Sequence, residues 1–383
     1  MLDSLQNALQ QLQPSGWVML SFFILLFLAN TICLLLFTGR VAWLGVPPEG
    51  IQNPLSVILP LRNEELNLRE NLPRLLSIEN AEYEIVAVDD FSRDSSLTLL
   101  GALKRQESKL RFSSLSQETR YSEKLARNIA IKSARYDWVM LISPSVTKTG
   151  THWPGGIMSR MNAPVEVVVN YSNAKPGDTF FNLLFRLEFF FQQIKSFGFI
   201  LNGLPYIVSE ENVAFQKHNY FEGGGFRGKI SESYAHLELV INAFMKKPTS
   251  RVLLTFTTSV YKTEPVIRTH FFDLLKKEAR LIQYLSFTRK LILSVSEWIR
   301  ILFIPVAIII LIFVPLFWPF VIAVIVLTAL GYSFIIKIIL NRLDEGKLFL
   351  PSLLFGLILP YFKLIFRTGY NYQRRKKRWK EKK

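Results

Sequence analysis

Two apolar runs, at 55–59 and 84–88, constrain this chain more than any other feature. Each is short and rich in β-branched residues, the pattern of a strand buried on both faces. Each is closed by polar turn residues. Arg62-Asn63-Glu64-Glu65 follows the first, and Asp89-Asp90-Phe91-Ser92-Arg93-Asp94 follows the second. Helical periodicity comes next in both cases, over 66–76 and 95–103, so the pattern predicts βαβ units with parallel strands. A helix over 122–134, with Ser122 as its N-cap, leads to a further buried strand at Trp138–Ile142; another is expected at Val165–Val169. In such sheets ligands lie at the carboxyl ends of the strands. Asn63, Glu64, Asp89 and Asp90 fall there.

The flanks are of a different kind. Half of the 383 residues are hydrophobic and 13% are aromatic, which is rich for a water-soluble protein. Trp17–Phe37 is long and apolar enough to cross a bilayer. It lacks a basic start and a small-residue cleavage site, so it reads as a retained anchor within 1–40. Arg40 follows it, and the positive-inside bias then puts the N-terminus outside and the following domain in the cytoplasm. A linker is expected over 41–54, the α/β domain over 55–265 and amphipathic interfacial helices over 266–298. A C-terminal membrane region over 299–367 and a basic cytoplasmic tail over 368–383 complete the chain. Within the membrane region, 301–318 and 320–340 read as spans joined at Pro319. The stretch 348–366, interrupted by Pro351 and Pro360, reads as re-entrant or interfacial, which keeps the tail inside; a full crossing is the alternative. The expected location is the plasma (inner) membrane, multi-pass.

The formal charge of +16 lies largely beside these apolar spans. An anionic membrane surface is therefore the expected partner, not nucleic acid. Cys33 is the only cysteine, so no internal disulfide forms; with four scattered His, no zinc spacing exists. There is no P-loop or dinucleotide fingerprint. Phe180–Leu201 is a helix carrying Phe on nearly all sides. Core packing and an interfacial, acceptor-lining helix are both open readings.

The two strand ends together resemble the family-2 glycosyltransferases, whose first strand reads like "VSVIIPARNEE" and whose second ends in Asp-Asp-x-Ser-x-Asp. Glu123-Lys124-Leu125-Ala126-Arg127-Asn128-Ile129-Ala130 is similar to a helix start in the same family, and Gly203 to Lys217 with Phe221 to Phe226 to its acceptor-side segment. The resemblance implies a GT-A fold, Rossmann-like and α/β, that uses nucleotide sugars. It implies nucleotide binding by Arg62, Glu64, Asp89 and Asp90. The family usually holds Mg2+ or Mn2+ on a DxD motif. Here that position reads Ser143-Pro144-Ser145, and two hydroxyls replace carboxylates poorly as ligands for a hard cation. The family's "EDxEL" base motif aligns with Ala235-His236-Leu237-Glu238-Leu239, which puts His236 at the base and keeps Glu238. Its QxxRW motif aligns with Lys277 to Leu281 and keeps only Arg280, which is unlike a processive polymerase. Lys276, Lys277 and Arg280 then suggest metal-free neutralisation of a diphosphate or, equally, a basic face on phospholipid. Two functions follow. One is a membrane-bound transferase acting on a lipid-linked or glycan acceptor near the membrane, with His236, Glu238 and Arg280 as the reacting-centre set. The other is a pseudoenzyme that scaffolds or partners an active synthase.

Overall fold

The computed structural model describes residues 14–79, 81–118, 120–148 and 153–381. Residues 1–13, most of the polar start at 1–16, and the last two lysines of the basic tail lie outside them. The chain divides into two compact units, Leu44–Leu285 with Arg342–Asp344, and Met1–Trp43 with Ser286–Asn341 and Glu345–Lys383.

The first unit is α/β and GT-A-like. Its strands are β1 (Leu55–Leu61), β2 (Tyr83–Asp89), β3 (Leu110–Ser114), β4 (Trp138–Leu141), β5 (Val146–Lys148), β6 (Val167–Asn170), β7 (Ser172–Ala174), β8 (Val213–Gln216), β9 (Ser250–Leu253) and β10 (Val260–Lys262). A seven-stranded sheet has the order β3-β2-β1-β4-β8-β6-β9, and a three-stranded sheet the order β5-β10-β7. The β1–β2, β1–β4 and β2–β3 pairs are parallel, as the βαβ pattern predicts. β8 runs antiparallel to both β4 and β6. β2 is buried throughout and β1 nearly so, because helices cover both faces of the parallel half. One carboxylate sits in this core. Glu84, 6% exposed, faces Ser56 across the β1–β2 register. It accepts from Ser56 Oγ at 2.6 Å, Arg135 N at 2.5 Å and Arg111 Nη1 at 3.1 Å. A buried charge persists only when it is paired and hydrogen-bonded in this way.

Phe180–Leu201 is one helix, with Thr179 Oγ1 accepting from Asn182 N at its start. Phe189, Phe190, Phe197 and Phe199 are buried, while Phe180 is exposed. The helix packs on the helix Arg268–Tyr284, through the Phe181 and Phe271 rings 6.5 Å apart and a Lys195–Glu278 ion pair at 3.0 Å. Core packing explains the phenylalanines.

Several elements differ from their expected extents. The alternating stretch 251–261 forms two strands separated by the turn Phe256–Thr258. There Ser259 Oγ donates to Thr255 O at 2.7 Å, and such local hydroxyl bonds compete with the ladder. The helical stretch expected over 266–298 is broken between Tyr284 and Phe287. Ser122 does not cap its helix. It opens the helix Ser122–Ser133 and turns its hydroxyl to Asp90.

The second unit is helical. Pro14–Ala42, Phe287–Phe313, Trp318–Arg342 and Gly346–Arg374 are each long and apolar enough to cross a membrane. Their outer faces carry exposed Leu25, Leu330, Leu350 and Ile365, which suits lipid and not water. Phe23 stacks on Phe303 with ring centroids 5.7 Å apart. The break between the second and third helices falls at Pro315–Phe317, before Pro319. Pro319 lies in the first turn of Trp318–Arg342, where a missing N–H removes no helical bond.

The re-entrant turn expected over 348–366 does not form. Phe349–Glu381 is a single helix with Pro360 inside it. Proline cannot donate to the carbonyl four residues earlier, which here is Gly356 O. Arg300 Nη2 from the helix Phe287–Phe313 donates to that carbonyl at 2.8 Å. The arrangement is reciprocal. Pro305 of that helix frees Ile301 O, and Tyr361 OH of the long helix donates to it at 2.9 Å. In hydrocarbon no water would satisfy such carbonyls, so each helix satisfies the other. Glu297 and Arg367, 2.8 Å apart, add an ion pair between the same two helices. Tyr361→Phe should therefore cost roughly 1–2 kcal/mol, read as a lower melting temperature of the detergent-solubilised protein. The exposed Tyr372→Phe should leave it unchanged. Equal effects of the two would remove the pairing from the account.

Candidate functional site

The carboxyl ends of β1 and β2 are laced together by the Asp-Asp-x-Ser-x-Asp turn. Asn63 and Phe91 both adopt left-handed backbone, with φ of 55° and 57°, so each loop turns sharply back. Asn63 N donates to Ser92 Oγ at 2.8 Å, and Asn63 Oδ1 accepts from Arg93 N at 2.8 Å. Glu64 N donates to Ser96 Oγ at 2.9 Å, and Glu65 N to Asp94 Oδ2 at 3.1 Å. Asp94 Oδ1 accepts from Ser96 N at 3.0 Å. Asp94 is thus a brace. Its slight burial works upward on the carboxyl, but the Ser96 and Glu65 bonds hold it below the usual range.

The two strand-end acids are different. Asp89 and Asp90 are each 2% exposed. Asp89 Oδ2 accepts from Ser92 N at 3.1 Å, and Asp90 Oδ2 from Ser122 Oγ at 2.9 Å. Asp89 Oδ1 and Asp90 Oδ1 are buried and have no hydrogen-bond partner among the described residues. Burial pushes the Asp90 carboxyl up, against the Ser122 bond and the Arg62 charge. Arg62 itself pairs with Glu118 at 2.6 Å. Glu64 accepts from Asn67 Nδ2 at 2.7 Å, and the same amide reaches Glu264 at 3.2 Å. Burial raises the Glu64 pKa, with Asn67 opposing and Glu264 adding to the rise.

His236 and Glu238 lie in a second cluster, built on the helices Ser122–Ser133 and Leu237–Phe244. Arg127 meets Glu210 at 2.6 Å, both largely buried, and Lys277 pairs with the fully buried Glu238. Glu238 also accepts from His236 N at 2.9 Å and Glu210 N at 3.2 Å, and Glu210 from Leu237 N at 2.9 Å. These carboxylates take N–H groups at the start of the second helix, where anions are favoured. Burial works upward on Glu210, but Arg127 above all brings it well below the usual carboxylate range. His236 Nε2 lies 3.3 Å from Glu123 Oε2. Its Nδ1 is buried without a partner. Burial, then the Arg127 charge, lower the imidazole to about 4 despite Glu210 and Glu123. The ring is neutral at pH 7. A neutral imidazole has one ring nitrogen that accepts a proton. Arg280 is buried against Glu232 and bonded to Gln283 Oε1 at 2.7 Å. Lys276 pairs with Asp273 at 2.8 Å. Lys276, Lys277 and Arg280 are thus each engaged by a carboxylate.

At the Ser143-Pro144-Ser145 position the two hydroxyls bond each other at 3.0 Å. Ser143 N donates to Glu211 Oε1 at 2.7 Å, and Lys262 Nζ lies 3.0 Å from Glu211 Oε2. A divalent cation does not fit this donor set. Its one carboxylate has both oxygens engaged, and the neighbouring group is an ammonium.

Residues 56–143 match the family model described as Glycosyl transferase family 2. The resemblance carried by the two strand ends holds for this segment. No curated protein matches the chain in sequence. Among solved structures the chain is similar to S. aureus TarS 1–349, with 17% identity and a TM-score of 0.44, covering 84% of this chain and 91% of that one. It is also similar to the mannosyltransferase PcManGT from Pyrobaculum calidifontis in complex with GDP-Man and Mn2+. There the identity is 16% and the TM-score 0.49, covering 88% of this chain and 99% of that one.

The family-2 segment contains Arg62, Glu64, Asp89, Asp90 and Ser143 and stops short of Ser145, His236, Glu238 and Arg280. The structure brings the first four to neighbouring strand ends. Glu210, Glu211, Arg127 and Lys262 were missed as site residues. Glu210-Glu211 lies inside the segment Gly203 to Lys217 that carries the acceptor-side resemblance, but nothing local in the sequence ties Lys262 to Ser143.

The His236 value sets a pH dependence. Between about 6.5 and about 4 the unfolded chain binds a proton that the folded imidazole refuses. Stability should fall as pH drops through that window and level off below it. The pH slope of the melting temperature should be shallower there for His236→Gln than for the native protein. Identical slopes would mean that His236 titrates normally.

Proposed function

We propose that the α/β unit binds a nucleotide sugar at the carboxyl ends of β1 and β2, and transfers the sugar to a lipid-linked or membrane-near acceptor at the cytoplasmic face of the plasma membrane. The observation that carries this reading is the pair of buried carboxylate oxygens, Asp89 Oδ1 and Asp90 Oδ1, left without donors. Each leaves an uncompensated acceptor costing about 1–3 kcal/mol. A nucleobase N–H or ribose hydroxyl is the kind of donor that relieves it. The family-2 match over 56–143 supports the same ligand class. The four apolar helices support the membrane setting.

In this reading His236 is the base. Glu123 lies 3.3 Å from its Nε2, and the unpartnered Nδ1 takes the proton of the acceptor hydroxyl. The acceptor oxygen bonds the anomeric carbon as the bond from that carbon to the diphosphate breaks, and the electron pair leaves on the phosphate oxygen. A base with a pKa of about 4 accepts the proton late, once bond formation has made the hydroxyl acidic. A second reading, binding without transfer, is favoured by the ion pairs that occupy Glu210, Glu238 and Glu232.

Two measurements test this. In thermal shift against UDP, GDP, ADP and CDP, one should stabilise the solubilised protein, and Asp89→Asn or Asp90→Asn should weaken its binding about tenfold or more. If none of the four stabilises it, the nucleotide reading is lost. With the matching sugar nucleotides and membrane lipid extract, His236→Ala should lower turnover roughly 10²-fold or more while nucleotide binding persists. Turnover that survives the substitution removes His236 from the mechanism. A native protein that binds nucleotide and never turns over belongs to the second reading.

A further inference from the structure

The cation of this site is part of the chain. Lys262 ends β10 and faces Val146 of β5, just beyond the Ser143-Pro144-Ser145 turn. Two bonds fix that register: Thr263 N and Thr263 Oγ1 each donate to Ser145 O at 2.8 Å. Asn71 Nδ2 holds the middle of the turn through Pro144 O at 3.1 Å. The position at which the family keeps a metal-binding acid pair is therefore clamped, and its hydroxyls are bonded to each other. Glu211, 3% exposed, joins Ser143 N to the Lys262 ammonium. The Lys262 side chain is 37% exposed. An ammonium carries three donor hydrogens and Glu211 accepts one. Burial disfavours the charge on Lys262, but Glu211, with Glu264 and Glu210 behind it, keeps it protonated well above neutral pH.

We propose that Lys262, held by Glu211 beside Ser143 and Ser145, is the diphosphate-binding cation of this chain and makes nucleotide binding independent of a divalent metal. This inference rests on the nucleotide reading of the site. An ammonium supplies one positive charge and hydrogen bonds to phosphate oxygens, and needs no carboxylate cage of its own. The serines fit that exchange, because two aspartates here would add two negative charges beside the ammonium.

The test is calorimetric titration of the full-length solubilised protein in EDTA, using whichever of UDP, GDP, ADP or CDP binds, against its monophosphate. The native chain should bind the diphosphate without metal. Lys262→Met should lose roughly tenfold or more of the diphosphate affinity while the monophosphate affinity stays within about threefold, since the nucleoside contacts are untouched. Lys262→Arg should keep most of the diphosphate affinity. If Lys262→Met does not fold, Lys262→Met with Glu211→Gln removes the buried charge together with its partner and carries the same measurement. Unchanged diphosphate affinity in these variants, or native binding that vanishes in EDTA and returns with Mn2+, overturns the role of Lys262 and leaves the nucleotide site standing. No nucleotide binding under any condition overturns both.

Discussion

The bonds that lace the loop after β1 to the loop after β2 are what the rest of the site depends on. Parallel neighbours end side by side, so their loops leave the sheet close together with N–H groups to satisfy. Ser92, Asp94 and Ser96 of the second loop accept from Asn63, Glu65 and Glu64 of the first, and Asn63 accepts in return. With the backbone held from both sides, the two acids at the end of β2 are fixed with one oxygen engaged and one open. A loose turn would let Asp89 and Asp90 rotate into water. Here they remain buried, and burial is what gives each open oxygen its demand for a donor.

Much of this was legible in the sequence because the parallel half of the sheet announces itself. β1 and β2 were expected two residues too short or less at each end, since Leu61 and Asp89 belong to the ladder although turn residues follow them. The helix Phe180–Leu201 matched its expected bounds. β3 went unread because it is an edge strand in which only Leu110 is buried, leaving no period of two to see. The role of Asp94 as a brace was visible from its place in the turn. Lys262 was not. It reaches Ser143 only because β10 inserts between β5 and β7 in a separate sheet, and no local pattern encodes that order.

The cluster around His236 shows how one position in a buried network is constrained by its charges. Glu210 and Glu238 carry hydrogen bonds from the start of the helix Leu237–Phe244, and Arg127 and Lys277 neutralise them. A further carboxylate at residue 236 would face both acids with only two cations available. A neutral imidazole adds no charge, and the network keeps it neutral. A neutral side chain at residue 236 and the depressed imidazole pKa are therefore one fact seen twice.

The two units treat unsatisfied polar atoms in opposite ways, and the contrast bears on function. In the helical unit, the carbonyls freed by Pro305 and Pro360 are each met by a side chain of the partner helix. Nothing in hydrocarbon would otherwise meet them. In the α/β unit, Asp89, Asp90 and His236 keep buried atoms open. An open atom is not a site by itself, since Asn170 Oδ1 is also buried and unpaired. Place and chemistry separate the cases. Asp89 and Asp90 stand at the end of an inner parallel strand, adjacent and alike, on the edge where α/β sheets receive ligands. The lacing bonds make that unsatisfied state stable, and a donor-bearing ligand completes it.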